Sequence, residues 1–128
     1  MPASQRVVQV CLFLLAAIGM FGGALQMFLG QPETTPRLDN VHRFMAGIYF
    51  GSGLIALWAG ITVRRQGTLV FLVALAVFLG GLGRLVSMSQ VGLPDPAVVW
   101  LGYLIPELLV LWIIVIAHLV AGRRAAAV

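Results

Sequence analysis

Residues 44–63 read FMAGIYFGSGLIALWAGITV, a stretch of twenty residues without a charged side chain. A helix needs about 20 predominantly apolar residues to cross the hydrocarbon core of a bilayer. Arg64 and Arg65 end the stretch, and a second uncharged run, residues 66–83, follows them directly. The region therefore predicts two transmembrane helices joined by a short connection, which makes them antiparallel neighbours.

Two more apolar runs lie on either side of this pair. Residues 7–32 carry no charge, and a single acid, Glu107, interrupts residues 96–122. Of the 128 residues, 61% are hydrophobic and 9% are charged, whereas a soluble domain has about 25% charged residues. We therefore predict an all-α membrane protein, a left-handed antiparallel four-helix transmembrane bundle. It is expected to form one domain over residues 1–128, with spans at about 7–29, 41–63, 68–88 and 97–120.

The eight basic residues are all arginines, and their distribution predicts the orientation of the chain. Short cytoplasmic loops of membrane proteins carry an excess of basic residues. Here five arginines lie at the N-terminus, the second connection and the C-terminus, against two, Arg37 and Arg43, around the first connection. We therefore expect both termini to be cytoplasmic, and the arginines to contact anionic lipid head groups rather than nucleic acid.

Glycines recur at helical spacing in three of the predicted spans. Gly19 and Gly23 share one face of the first span, Gly47 and Gly51 share one face of the second, and three glycines fall within residues 80–83 of the third. Small residues let membrane helices approach closely, and that contact stabilises a bundle because lipid supplies no hydrophobic drive for helices to associate. These glycines are therefore predicted to form helix-packing surfaces.

Two charged residues lie inside predicted spans, Arg84 near the outer end of the third and Glu107 close to the middle of the fourth. A charge at the bilayer centre costs about 2.5–3.5 kcal/mol, so it needs a partner or a function. The two backbone positions differ in depth by about 8 Å, a gap that the Arg and Glu side chains together can bridge. An interhelical ion pair is therefore geometrically allowed.

A third polar group lies at the start of the second span. Asp39 and Arg43 are four residues apart, with the acid nearer the N-terminus, which is the better orientation for a helical ion pair. Asp39 or Asn40 is also expected to cap this helix. The candidate ligand-binding or network residues are thus Asp39, Asn40, His42, Arg43, Arg84 and Glu107.

We predict that the two arginines and the two acids of this set form one polar network in the outer half of the bundle. Because two arginines would face a single deep carboxylate, such a pocket suits a carboxylate, a phosphate or a carbonyl-bearing lipid head. A purely structural role stays open, since Arg84 and Glu107 can neutralise each other and Arg43 can extend to the interface. His42 has no second His or Cys at metal-ligand spacing, so we expect no metal, and no cofactor fingerprint is present.

Three segments carry a resemblance to a known family: LDNVHRFMAGIYFGSGLIALWA (Leu38–Ala59), LAVFLGGLGRLVSMSQVGLPDP (Leu75–Pro96) and the connection RRQGTL (Arg64–Leu69) between them. The chain resembles the small bacterial four-span integral membrane proteins known only as a domain of unknown function. The resemblance implies a bacterial cytoplasmic (inner) membrane location and supplies no reaction. It singles out as characteristic positions Asp39, Asn40, Arg43, Phe44, Gly80, Gly81 and Arg84.

Two classes of function remain open on this sequence. The first is a non-enzymatic membrane protein whose partners are the lipid bilayer and either a lipid or quinone-like ligand, a membrane protein or a second copy of the chain. The motivation is a polar pocket without a nucleophile set or a cofactor fingerprint. The alternative is a small membrane enzyme or transporter that acts on a lipid, quinone or isoprenoid, with Glu107 as a proton-exchanging carboxylate.

Overall fold

The protein is described by a computed structural model that covers residues 1–127. These residues form four long helices, α1 (Ala3–Leu29), α2 (Pro36–Ile61), α3 (Thr68–Val91) and α4 (Ala97–Ala127), and one short 3-10 helix, Val63–Arg65. All four long helices are long and apolar enough to cross a membrane. The predicted all-α, four-span fold is confirmed.

The surface of the chain fits a bilayer. Most large apolar side chains are exposed, and Phe28, Val91 and Val98 expose more than 80% of their area. The few fully buried side chains are small or aliphatic, with Val8, Leu12, Val63, Val70 and Ile114 the largest. In lipid an exposed apolar side chain loses nothing, so helix contacts rather than burial hold such a protein together.

The chain divides into two compact units. One consists of residues 9–62, and the other consists of residues 1–8 together with the chain from Val63 onward. The first unit contains most of α1 and all of α2, and the second contains the 3-10 helix, α3 and α4.

In the first unit α1 and α2 run antiparallel with their backbones in direct contact. A Cβ built on Gly23 would lie 2.7 Å from the Phe50 amide nitrogen and 2.8 Å from the Ala46 carbonyl oxygen. A Cβ on Gly53 would lie 2.8 Å from the Met20 amide nitrogen. Since real side chains do not tolerate such distances, only glycine permits this approach of the two helices.

The predicted packing role of the glycines holds for only some of them. Gly19 and Gly23 do contact α2, but Gly51 has no atom within 4 Å of an added Cβ, and for Gly47 the nearest described atom, a methionine sulfur, is 4.0 Å away. The contact face of α2 also carries Ala46 and Gly53. The methionine near Gly47 is Met27 of α1, so the predicted packing role is supported at Gly47 and not at Gly51. Helical spacing defines a face without saying which neighbour each position on it meets.

The start of α2 also differs from the prediction. The helix begins at Pro36, and the N-cap is Thr35, whose side-chain oxygen accepts a hydrogen bond from the Leu38 amide. Thr followed by Pro satisfies both preferences of a helix start, a capping oxygen and a residue that lacks an amide hydrogen. The expectation that Asp39 or Asn40 caps this helix was wrong: both lie within its first two turns.

In the second unit α3 and α4 run antiparallel and contact each other through side chains. Phe78 meets Trp112 edge to face, with ring centroids 6.0 Å apart. Gly81 lies against Leu108, and a Cβ on it would be 2.9 Å from a Leu108 methyl carbon. This pairing positions Arg84 of α3 opposite Glu107 of α4.

Candidate functional site

The candidate residues fall into two groups, one in each unit. We call the first the Arg43 cluster, made of Gln26, Met27, Asp39, His42 and Arg43. We call the second the Arg84 cluster, made of Arg84, Trp100, Tyr103 and Glu107. The predicted network that joins both groups stays a prediction, and each cluster is described by itself.

In the Arg43 cluster the arginine is engaged on two sides. Its Nε donates a hydrogen bond to Asp39 Oδ2 at 2.9 Å, one turn earlier in α2. Its Nη1 donates to the backbone carbonyl of Met27, in the last turn of α1. A cation at a helix C-terminus is favourable because the last carbonyls lack partners and carry partial negative charge. Arg43 thus joins the C-terminal end of α1 to the N-terminal part of α2.

Gly30 makes this arrangement possible. It follows the last residue of α1 with a φ of +64°, and its amide donates to the Gln26 carbonyl at 2.9 Å. Glycine adopts the left-handed region without a Cβ penalty, and it commonly ends helices in this way. A Cβ here would also lie 2.6 Å from Arg43 Nη2, so the residue leaves room for the guanidinium.

A second polar contact in this cluster joins the same two helices. His42 Nε2 and Gln26 Oε1 are 2.8 Å apart in a partly buried position. Because an amide oxygen can only accept, His42 Nε2 is the donor in this contact, which requires the proton to be on Nε2. Asn40, the remaining candidate of this group, is exposed.

The Arg84 cluster is built around an interhelical ion pair. Arg84 Nε donates to Glu107 Oε2 at 2.8 Å, with 34% and 21% of the two side chains exposed. The guanidinium carbon lies 5.7 Å from the ring centroid of Trp100 and 5.7 Å from that of Tyr103. Both aromatic faces therefore contribute cation–π attraction on top of the ion pair.

This arrangement leaves part of the guanidinium unused. Among the described residues, Arg84 makes only the hydrogen bond through Nε, and its two terminal nitrogens make none. A guanidinium carries five N–H donors in a planar fork and binds carboxylates and phosphates best through two of them. The cluster is thus neutral overall, yet it presents several strong donors.

The position of the cluster along α3 and α4 suits an interfacial site. Arg84 is seven residues before Val91, the end of α3, which corresponds to about 10 Å along the axis. Trp100 lies in the first turn of α4, and Trp and Tyr are enriched where the hydrocarbon meets the head groups. Pro106, next to Glu107, cannot donate to the Gly102 carbonyl, so this turn of α4 lacks one backbone hydrogen bond.

Sequence reasoning missed four members of these clusters, Gln26, Met27, Trp100 and Tyr103. A signal for the aromatic pair was present, because positions 100, 103 and 107 follow the spacing of one helical face. Gln26 was the single amide in the outer half of the first predicted span. Its partner His42 could not be identified from spacing, because the two residues belong to different helices.

A comparison with family models finds one match, to a family described as a domain of unknown function, DUF4345, over residues 6–120. The match covers nearly the whole chain, including all residues of both clusters. No curated protein and no solved structure matches the chain.

Proposed function

The chain belongs to the DUF4345 family, a domain of unknown function, and we propose that it is a non-enzymatic multi-pass membrane protein that binds the polar head of an amphipathic ligand at Arg84. The observation that carries the proposal is the guanidinium of Arg84, which Glu107, Trp100 and Tyr103 hold in place while its terminal nitrogens have no described acceptor. A lipid or quinone-like molecule supplies such acceptors.

The rest of the cluster restricts the chemistry of the ligand. Since Glu107 already neutralises Arg84, the site needs no full counter-charge, and it accepts a carbonyl oxygen as well as a phosphate or carboxylate. The rings of Trp100 and Tyr103 add an apolar surface beside the donors. Acceptor oxygens attached to an apolar body are the features of an ester-linked lipid and of a quinone alike.

The proposal centres on Arg84 rather than on Arg43. Arg43 already donates to Asp39 and to the Met27 carbonyl, so a ligand there would have to compete with contacts that join α1 to α2. The two terminal nitrogens of Arg84 can donate to a ligand while its Nε stays bonded to Glu107. This difference makes Arg43 the matched control: it is a second arginine near a helix end, and its donors are already engaged within its own cluster.

Native mass spectrometry of the full chain, released from its membrane by a mild detergent, tests the proposal. We expect one amphiphile to remain bound to the wild type, to be lost from Arg84→Gln, to be weakened in Arg84→Lys and to remain on Arg43→Gln. Lys keeps the charge but not the planar fork. Extraction and mass analysis of the bound molecule distinguish a phospholipid from a quinone.

Other outcomes of these experiments would overturn the proposed ligand site at Arg84. A wild type that carries no amphiphile, or equal loss from Arg84→Gln and Arg43→Gln, contradicts a ligand site at Arg84. A stoichiometric membrane protein in place of the amphiphile assigns the chain an accessory role. Proton-coupled flux in liposomes that disappears in Glu107→Gln assigns it to transport.

The proposed location is the bacterial inner membrane, with both termini in the cytoplasm. The support is the arginine distribution, because the end of α1 that carries Arg6 and the connection with Arg64 and Arg65 lie on the same side of a chain with four spans. Reporter fusions after Arg37 and after Asp95 should both map outside the cytoplasm. A cytoplasmic signal from either fusion contradicts this orientation.

A further inference from the structure

A second site lies at the other end of the α3/α4 pair. Phe71 of α3 and four residues of α4, His118, Leu119, Gly122 and Arg123, line an open cleft of about 370 Å³. Phe71 precedes Arg84 by 13 residues, which places the cleft about 20 Å from the Arg84 cluster along the helix axis. The two sites therefore lie toward opposite ends of the α3/α4 pair.

The lining of the cleft is apolar apart from His118 and Arg123. The rings of Phe71 and His118 meet edge to face, with centroids 4.8 Å apart. His118 Nδ1 is buried and has no hydrogen-bond partner among the described residues. Because an unsatisfied buried N–H is rarer in proteins than an unsatisfied acceptor, we assign the proton to Nε2. The imidazole then offers the cleft a donor rather than an acceptor.

Charge at this end of the unit is positive. Arg123 lines the cleft, and Arg64 and Arg65 precede α3 in the same unit. None of the four acidic residues of the chain lies between residues 40 and 94 or after residue 107. A group that enters the cleft therefore meets cations without a competing carboxylate, which favours an anion.

We propose that this cleft binds the phosphate of an anionic phospholipid. The phosphate oxygens accept hydrogen bonds from Arg123 and from His118 Nε2, and the adjoining glycerol and first acyl carbons contact Phe71 and Leu119. The orientation proposed above puts the cleft at the cytoplasmic surface, where anionic lipids are available to it. This site does not depend on ligand binding at Arg84.

The test is lipid binding to the full chain measured by native mass spectrometry in an equimolar mixture of phosphatidylglycerol and diacylglycerol, which has the same glycerol and acyl chains but no phosphate. We expect the wild type to prefer phosphatidylglycerol by about tenfold, the effect of one charge-assisted hydrogen bond. Arg123→Gln and His118→Leu should lose most of this preference. His118→Gln, which retains a donor near the position of Nε2, should keep it.

Arg65→Gln is the matched control, since it removes one positive charge from the same end without touching the cleft. If Arg65→Gln loses as much preference as Arg123→Gln, the binding is diffuse attraction to basic residues and the proposal is wrong. The absence of a preference in the wild type also overturns it. Competition by inorganic phosphate at similar concentration would show that the cleft binds free phosphate and not a lipid.

A measurement on the wild type alone covers the case in which a variant does not fold. Phosphatidylglycerol with a photoreactive group on the first acyl carbons should label peptides that contain Phe71 and Leu119. Labelling confined to other parts of the chain contradicts the proposal.

Discussion

The α1/α2 pair and the α3/α4 pair are held together by different kinds of contact. In the first pair, glycines bring the two backbones together at Gly23 and Gly53, and polar contacts are at the two ends, where Gln9 donates to the Gly60 carbonyl at 3.0 Å and Arg43 meets α1. In the second pair, aromatic rings and an ion pair connect the helices.

The difference indicates where function can lie. Backbone contact is short-range and leaves no space for a ligand, whereas large side chains leave gaps and unused donors between helices. Both the Arg84 cluster and the cleft beside His118 belong to the α3/α4 pair.

The largest expected effect concerns the backbone contact of the first pair. Gly23→Ala puts a Cβ within 3 Å of two α2 backbone atoms, so α1 and α2 must move apart. Overpacking of this kind lowers the free energy of unfolding by about 1–3 kcal/mol. We expect a loss near the top of that range in unfolding by SDS from mixed micelles, followed by circular dichroism. Gly51→Ala, where nothing lies within 4 Å, is the control and should be nearly neutral; equal losses would contradict the contact.

A smaller effect is expected at the ion pair of the second pair. Glu107→Gln removes the charge that faces Arg84 but keeps the shape. Both side chains are partly exposed, so the loss should be about 1–2 kcal/mol, below the value for a fully buried pair. A double-mutant cycle with Arg84→Gln measures the coupling in the same unfolding assay. Additive losses would falsify a direct pair.

The smallest effect tests whether the Arg43 cluster and the Arg84 cluster belong to one network. The sequence predicts one network that includes Arg43 and Glu107, and residues in one network couple by about 0.5 kcal/mol or more. The cycle of Arg43→Gln with Glu107→Gln should show that coupling if the network exists. Additivity within the error of the measurement would establish two independent clusters instead.

Several features of the site followed from the sequence because they depend on local spacing or on the membrane. Asp39 and Arg43 were assigned to one helical ion pair from their separation alone, and the structure contains that contact. Arg84 and Glu107 stood out because charges in a span are costly. By contrast, two contacts depend on how neighbouring helices are rotated about their axes: the hydrogen bond between Gln26 and His42 and the contact of Arg84 with the Trp100 ring. The periodicity of a sequence does not report that rotation.

The sequence by itself determined that the chain has four membrane-crossing helices, since its four apolar runs, of 18 to 27 residues with at most one charge each, are long enough to cross a bilayer as helices. Only the tertiary structure decided which glycines meet a neighbour and which donors are left over. Gly23 and Gly51 look alike in sequence, but one touches a backbone and the other faces open space. Arg43 and Arg84 also look alike in sequence, but helix packing gives them different partners. Arg43 donates to a backbone carbonyl and a carboxylate, whereas Arg84 donates to one carboxylate and lies near two aromatic rings.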